Sequence, residues 1–214
     1  MTYKLPYWYD LHAHFRQGPA VKQYLQAHLN SGCAGILAMP NTQPPISRVI
    51  GTNNERSWSI ESYRQMIFDM GGDRFNNVIV PLYLTAKTTA HMIEEGSKSG
   101  LLKACKYYPP HGTTNSSYGV PLQTYMENGV FSAMQEHGVI LCVHGEEHGL
   151  SGESYFGKNS NAEDFFYRER LPLVSEKFPQ LKIVCEHITT KTAATFVKNS
   201  DKTYGKPIIN IKPK

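Results

Sequence analysis

The chain has 214 residues but only four cysteines, Cys33, Cys105, Cys142 and Cys185, none in a CxxC pair. That spacing excludes a zinc finger. Each cysteine lies in an apolar context, which predicts reduced, buried thiols rather than a disulfide framework. No run is long and apolar enough to span a bilayer. The start, Met1-Thr2-Tyr3-Lys4-Leu5-Pro6, lacks the apolar stretch of a signal peptide. The expectation is a soluble, cytoplasmic protein with no membrane partner. Net charge is only +4 and the lysines are scattered. A nucleic-acid surface needs basic clusters with interleaved aromatics, and none stands out. A small anionic substrate is compatible with this balance. There is no internal repeat, linker or low-complexity segment, so residues 1–214 are read as one domain.

Hydrophobic runs recur at residues 8–14, 35–40, 78–84, 101–108, 139–144, 182–187 and 207–211. Helical patterns fall between them, at 21–31, 60–70, 88–99, 122–137, 164–178 and 192–199. Strands alternating with helices predict a parallel sheet with right-handed crossovers. Near-continuous apolar strands fit a sheet covered on both faces. The fold expected is α/β, a TIM-like barrel. Seven strands are counted, and eight in a barrel take about 250 residues. The chain therefore reads as a barrel domain that lacks its last βα unit. Two polar, Gly-rich loops, 109–119 and 146–161, would lie on the face where such barrels keep their sites.

The polar groups at strand ends carry the chemistry. His12 and His14 lie two apart on the first strand and so share a face. Lys106 lies in the apolar run Ala104-Cys105-Lys106-Tyr107-Tyr108-Pro109, His144 closes Leu141-Cys142-Val143-His144, and His187 closes Val184-Cys185-Glu186-His187. One strand-end histidine is ordinarily a packing residue. Four of them, two in an HxH, read as a binuclear metal centre, because neutral imidazole is a common zinc ligand. Lys106 shares its face with Leu102 and Ala104, and a buried lysine is costly unless neutralised or paired. It either meets a carboxylate or snorkels, or it is carbamylated by carbon dioxide into an anion that bridges two cations.

Five strings carry a resemblance: Asp10-Leu11-His12-Ala13-His14-Phe15-Arg16; Met39-Pro40-Asn41; Lys106-Tyr107-Tyr108-Pro109 followed by Thr113-Thr114-Asn115-Ser116; Val143-His144-Gly145-Glu146; and Glu186-His187-Ile188-Thr189-Thr190-Lys191. In this order they resemble the bacterial-type, class II dihydroorotases of the amidohydrolase superfamily, from near residue 9 to the last residue. The resemblance implies zinc-dependent, reversible cyclisation of N-carbamoyl-L-aspartate to L-dihydroorotate in pyrimidine biosynthesis. It implies two zinc ions. His12 and His14 would hold the more buried ion, His144 and His187 the second, and carbamylated Lys106 would bridge both. Arg16 and Asn41 would take the substrate carboxylate, a planar anion matched by the guanidinium fork. Thr113 and Thr114 would lie on a loop that closes over the substrate.

The family's proton-shuttling aspartate, at the end of an eighth strand, has no counterpart here. The expectation is a chain with little turnover by itself, which pairs with another copy as a homodimer or with a separate C-terminal segment. Asp10 shares the face of His12 and reads as a capping or structural carboxylate. Two alternatives stay open: a non-catalytic dihydroorotase-like protein that binds metal or a partner, and a related cyclic amidase such as a hydantoinase. The Thr-Thr-Asn-Ser loop speaks against the latter.

Overall fold

The alternation of strand and helix becomes a parallel, curved sheet with helices packed against it in the computed structural model, which describes residues 6–157 and 160–200. In chain order the elements are β1 (Trp8–Ala13), α1 (Ala20–Asn30), β2 (Cys33–Ala38), β3 (Ile46–Arg48), β4 (Trp58–Ser59), α2 (Ile60–Asp69), β5 (Asn77–Ile79), β6 (Leu82–Tyr83) and α3 (Ala90–Lys98). Then follow β7 (Ala104–Tyr107), α4 (Leu122–Glu127), α5 (Val130–Glu136), β8 (Ile140–His144), α6 (Glu153–Phe156), α7 (Ala162–Phe165), α8 (Leu171–Lys177), β9 (Ile183–Glu186) and α9 (Lys191–Asn199). A π-helical turn, Phe166–Arg170, joins α7 to α8. The expected strand at 207–211 lies outside the described residues. No described helix is long and apolar enough to cross a membrane.

The ladders among the described strands are all parallel. β1, β2 and β5 form one ribbon, β6, β7, β8 and β9 another, and β3 pairs with β4 in a small excursion. The single strand expected at 78–84 is thus two pieces, β5 against β2 and β6 against β7, separated by Val80 and Pro81. Proline offers no backbone N–H to a ladder, so the hydrogen bonding breaks there while the chain runs on. The helix expected at 122–137 is also two. Gly129 has φ 83°, in the left-handed region, and a helix cannot run through it.

Strand parity fixes the two layers. Leu37, Met39, Ala104 and Cys142 form a small cluster inside the curve, joined by Ile79, Ile140 and Val184. The larger cluster lies between strands and helices and includes Val21, Leu25, Ile67, Ile93, Phe131, Leu171 and Val197 from the helices. Leu102 belongs to this outer cluster, not to the face of Ala104 and Lys106, because β7 starts only at Ala104 and the alternation does not reach back to it. The central strands β7 and β8 are almost wholly buried, whereas β1 exposes Trp8 and Tyr9 and β9 leaves Ile183 and Val184 half-buried. Side-chain caps mark the starts of α2, α3 and α9. Ser59 accepts from Ser62 N at 3.0 Å, Thr89 from Met92 N at 3.2 Å and Thr190 from Ala193 N at 3.1 Å. Such caps contribute about 1 kcal/mol each.

Candidate metal centre

The parallel register lines up the strand ends. Lys106 is level with Cys142, and His144 is level with Glu186. Residues in register on neighbouring strands share a face, so Ala104 and Lys106, Cys142 and His144, and Val184 and Glu186 all point into the curve. Each strand therefore stacks an apolar residue below a polar one, and the polar layer sits at the C-terminal edge.

Four imidazoles meet there. The Nε2 atoms of His12 and His14 are 3.1 Å apart. Ring centroids lie 5.0 Å apart for His12 and His187 and 4.6 Å apart for His144 and His187. Lys106 is fully buried, ion-paired to Glu186, with its Nζ 4.9 Å from the centre of the Tyr108 ring. The other oxygen of Glu186 is 3.0 Å from His12 Nδ1. The five side chains expected to ligate metal thus lie in one connected cluster, with Lys106 joined to the histidines through Glu186.

The donor set fits divalent zinc. Two nitrogens bound tetrahedrally at about 2.0–2.1 Å stand roughly 3.3 Å from each other, close to the His12–His14 spacing of 3.1 Å. One ligand atom from each of His12, Glu186 and His187 lies within 4.8 Å of the others. His14 is held neutral near pH 7, its pKa lowered to about 4. Desolvation is the main cause, followed by the charges of Arg16 and Lys106, while a hydrogen bond to Asn41 and the charge of Asp10 oppose it. Solvent reaches the outer edge of this ring, yet enough protein surrounds it for desolvation to dominate. The neutral ring is the form that binds metal.

Supporting contacts fix the ligands. Asp10 accepts from His12 N at 2.9 Å and lies 3.0 Å from His28 Nε2, so its carboxylate holds the backbone of the first ligand strand. His144 Nε2 is 2.8 Å from Glu146, which also accepts from the Tyr155 hydroxyl at 2.8 Å. Gly145 admits the Tyr167 ring, since a Cβ there would lie 2.5 Å from a ring carbon.

The expected substrate residues form one network beside the histidines. Arg16, with φ 62°, donates from its guanidinium to the Asn41 carbonyl, while its own carbonyl accepts from Tyr63 Oη at 2.7 Å. Asn41 is buried and donates to the Thr114 carbonyl at 2.9 Å, and Asn115 donates to the Asn41 carbonyl at 3.1 Å. Thr113 turns back on Ser116, its N–H donating to Ser116 Oγ at 3.0 Å. Thr113 and Thr114 are therefore tied through backbone groups to Asn41 and Ser116. His111 and His148 lie on the neighbouring loops, and His148 is 3.0 Å from Glu147, outside the histidine cluster.

Glu186 is the site residue that sequence reasoning did not single out. Adjacent residues on a strand face opposite ways, so the partner of a ligand is expected to point outward. Here His187 follows the strand end with φ 40°, and this left-handed step lets both residues face inward. Register against His144 was the signal that would have found Glu186.

Comparison with known proteins follows the same lines. No family model matches the chain. It is 36% identical over 199 residues to a dihydroorotase of Vibrio atlanticus, which covers 90% of the chain and 52% of that relative. It is also 36% identical over 203 residues to a dihydroorotase of Stutzerimonas stutzeri, covering 93% and 53%. Among solved structures it superposes on a dihydroorotase from Saccharomyces cerevisiae in complex with 5-fluoroorotic acid, with a TM-score of 0.77, 27% identity, and coverage of 92% of the chain and 52% of the yeast chain. A dihydroorotase from Campylobacter jejuni gives a TM-score of 0.69 at 26% identity, with coverage of 92% and 52%. The chain spans about half the length of the curated relatives it matches. Over that span the chain is similar in both sequence and fold to these dihydroorotases.

Proposed function

We propose that this chain carries the metal-binding and substrate-anchoring part of a cytoplasmic dihydroorotase, folded as one metal-dependent hydrolase barrel domain. The reaction is the reversible ring closure of N-carbamoyl-L-aspartate to L-dihydroorotate in pyrimidine biosynthesis. The observation that carries the reading is the convergence of His12, His14, His144 and His187 with a fully buried lysine at one edge of a parallel sheet.

His12 and His14 would hold one zinc ion, His144 and His187 a second, and Lys106 would bridge them as a carbamate. That modification joins Nζ to the carbon of carbon dioxide and releases two protons, one as the ammonium paired with Glu186 becomes an amine and one as the amine becomes the carbamate. Bound zinc supplies Lewis acidity toward the ring amide carbonyl and brings the pKa of water near neutrality. Arg16 takes the substrate carboxylate through its planar fork. Asn41 adds a donor beside it and couples that contact to the 113–116 loop, so that occupancy of the carboxylate pocket is felt by the loop. His14, neutral near pH 7, offers its lone pair without first losing a proton.

The test is metal content and turnover on the same zinc-loaded sample, assayed in both directions. The expected result is two zinc ions per chain, a carbamate on Lys106, and loss of the second ion in Lys106→Ala. Turnover of hydantoin but not of L-dihydroorotate would move the chain to the hydantoinase reading. Two bound ions with turnover of neither would favour the non-catalytic one.

A further inference from the structure

Glu163 has no place in the ligand set, yet it is buried and bonded as heavily as any carboxylate described. It stands in the first turn of α7 and faces the turn that follows β9. One of its oxygens accepts from Thr189 N at 2.7 Å, Thr190 N at 2.8 Å and Thr190 Oγ1 at 2.9 Å. The other accepts from Thr189 Oγ1 at 2.7 Å. Four donors from two consecutive residues converge on one carboxylate. Those residues lie immediately beyond His187 and Ile188.

The turn so gripped is strained. His187 adopts φ 40°, which a side chain rarely takes unless its surroundings over-determine it. Thr190 also caps α9 by accepting from Ala193 N, so the grip continues into the next helix. The residue before Glu163 completes the pattern. The carbonyl of Ala162 accepts from Glu147 N at 3.0 Å, three residues beyond His144. The dipeptide Ala162-Glu163 therefore holds the turn after β8 with its backbone and the turn after β9 with its side chain. His144 ends the strand before the first of these turns and His187 opens the second, and their ring centroids are 4.6 Å apart.

We infer that Glu163 is a positioning residue for the second metal ion: it sets where His187 stands relative to His144, and so governs affinity at that pair without touching the ion. The inference rests on the metal-centre reading given above. Groups that orient metal ligands typically change metal affinity about 10–100-fold when removed.

The experiment is zinc titration of the full chain against a chromophoric chelator, with circular dichroism and thermal melting of the metal-free proteins alongside. Glu163→Ala should weaken the second zinc equivalent by about 10–100-fold and leave the first unchanged. Glu163→Gln keeps a carbonyl oxygen for the three donors on one side, so its loss should be smaller. A folded Glu163→Ala that binds both equivalents as the wild type does overturns the inference. So does equal weakening of both equivalents together with a lowered melting temperature, the mark of a merely structural role. Should Glu163→Ala not fold, Thr189→Val decides, with selective loss of the second equivalent supporting the inference and unchanged binding overturning it. A wild-type chain that takes up no second zinc overturns the metal-centre reading and this inference with it. That outcome is distinct from a wild type that binds two ions and variants that do so equally.

Discussion

Removing the charge on Lys106 and the charge on Glu186, singly and together, asks what holds the polar layer of the site in the absence of metal. Both side chains are fully buried and paired with each other. Deleting one member of a buried pair leaves the other's charge uncompensated and costs about 3–5 kcal/mol. The two single variants should not be equal. In Lys106→Met, Glu186 keeps His12 Nδ1 at 3.0 Å, which places this variant at the lower end. In Glu186→Leu, Lys106 loses its carboxylate and His12 loses its neighbour at once, which places it at the upper end. The Tyr108 ring face, 4.9 Å from Nζ, offsets part of that loss, by up to about 2 kcal/mol for a desolvated cation. In the double variant two apolar chains of similar volume fill the space and no charge remains, so it should be more stable than either single. The assay is equilibrium urea unfolding followed by circular dichroism, with a chelator present. Stabilities of domains are about 5–15 kcal/mol, so each single loss is a large share and easily read. Single effects that add within about 0.5 kcal/mol in the double variant would show no coupling and refute the reasoning.

Two other predictions address substrate and pH. Arg16 sits at φ 62°, so Arg16→Gly should be more stable than Arg16→Ala by about 1 kcal/mol in urea unfolding. Both should weaken L-dihydroorotate binding by about 2–5 kcal/mol in calorimetric titration of the zinc-loaded protein; affinity equal to the wild type would remove Arg16 from the substrate site. Burial pushes the thiols of Cys142 and Cys185 up to about 11 and about 12, and raises Cys105 and the phenols of Tyr63 and Tyr83 as well. The unfolded chain releases these protons from the ordinary values of 9.0 and 10.0 while the folded chain keeps them, so stability is complete below pH 9 and falls as pH rises beyond it. The urea midpoint should therefore drop between roughly pH 9 and 10.5, and a flat midpoint across that window would contradict the burial argument.

Much of this molecule was legible in its sequence because its strands are buried on both faces. Strands such as β7 and β8 read as apolar runs with one polar residue at or next to their end, and the polar residue is what the site is made of. The two breaks were also written there, as Pro81 and Gly129, but the surrounding periodicity overrode them. The β3–β4 excursion left no such mark. Its strands are three and two residues long, too short for any alternation to show. Glu186 and Glu163 escaped for a different reason. The role of Glu186 depends on register across strands and on one left-handed step, and that of Glu163 on contact across 26 residues with Thr189. Neither is a local property of the chain.

The interruption at Val80 and Pro81 has a mechanical consequence. Among the described residues it leaves the sheet as two ribbons that share one covalent strand but no ladder across the gap. His12 stands on the first ribbon and His14 just beyond its strand β1, while Lys106, His144 and His187 stand on or just beyond strands of the second. A cation shared among them is a suture across the seam, and its binding energy is cohesion between the halves. Zinc at a hundred times its dissociation constant adds about 2.7 kcal/mol to the folded state. On the metal-centre reading that increment falls on the joint, so loss of the ion loosens one ribbon from the other before either unravels.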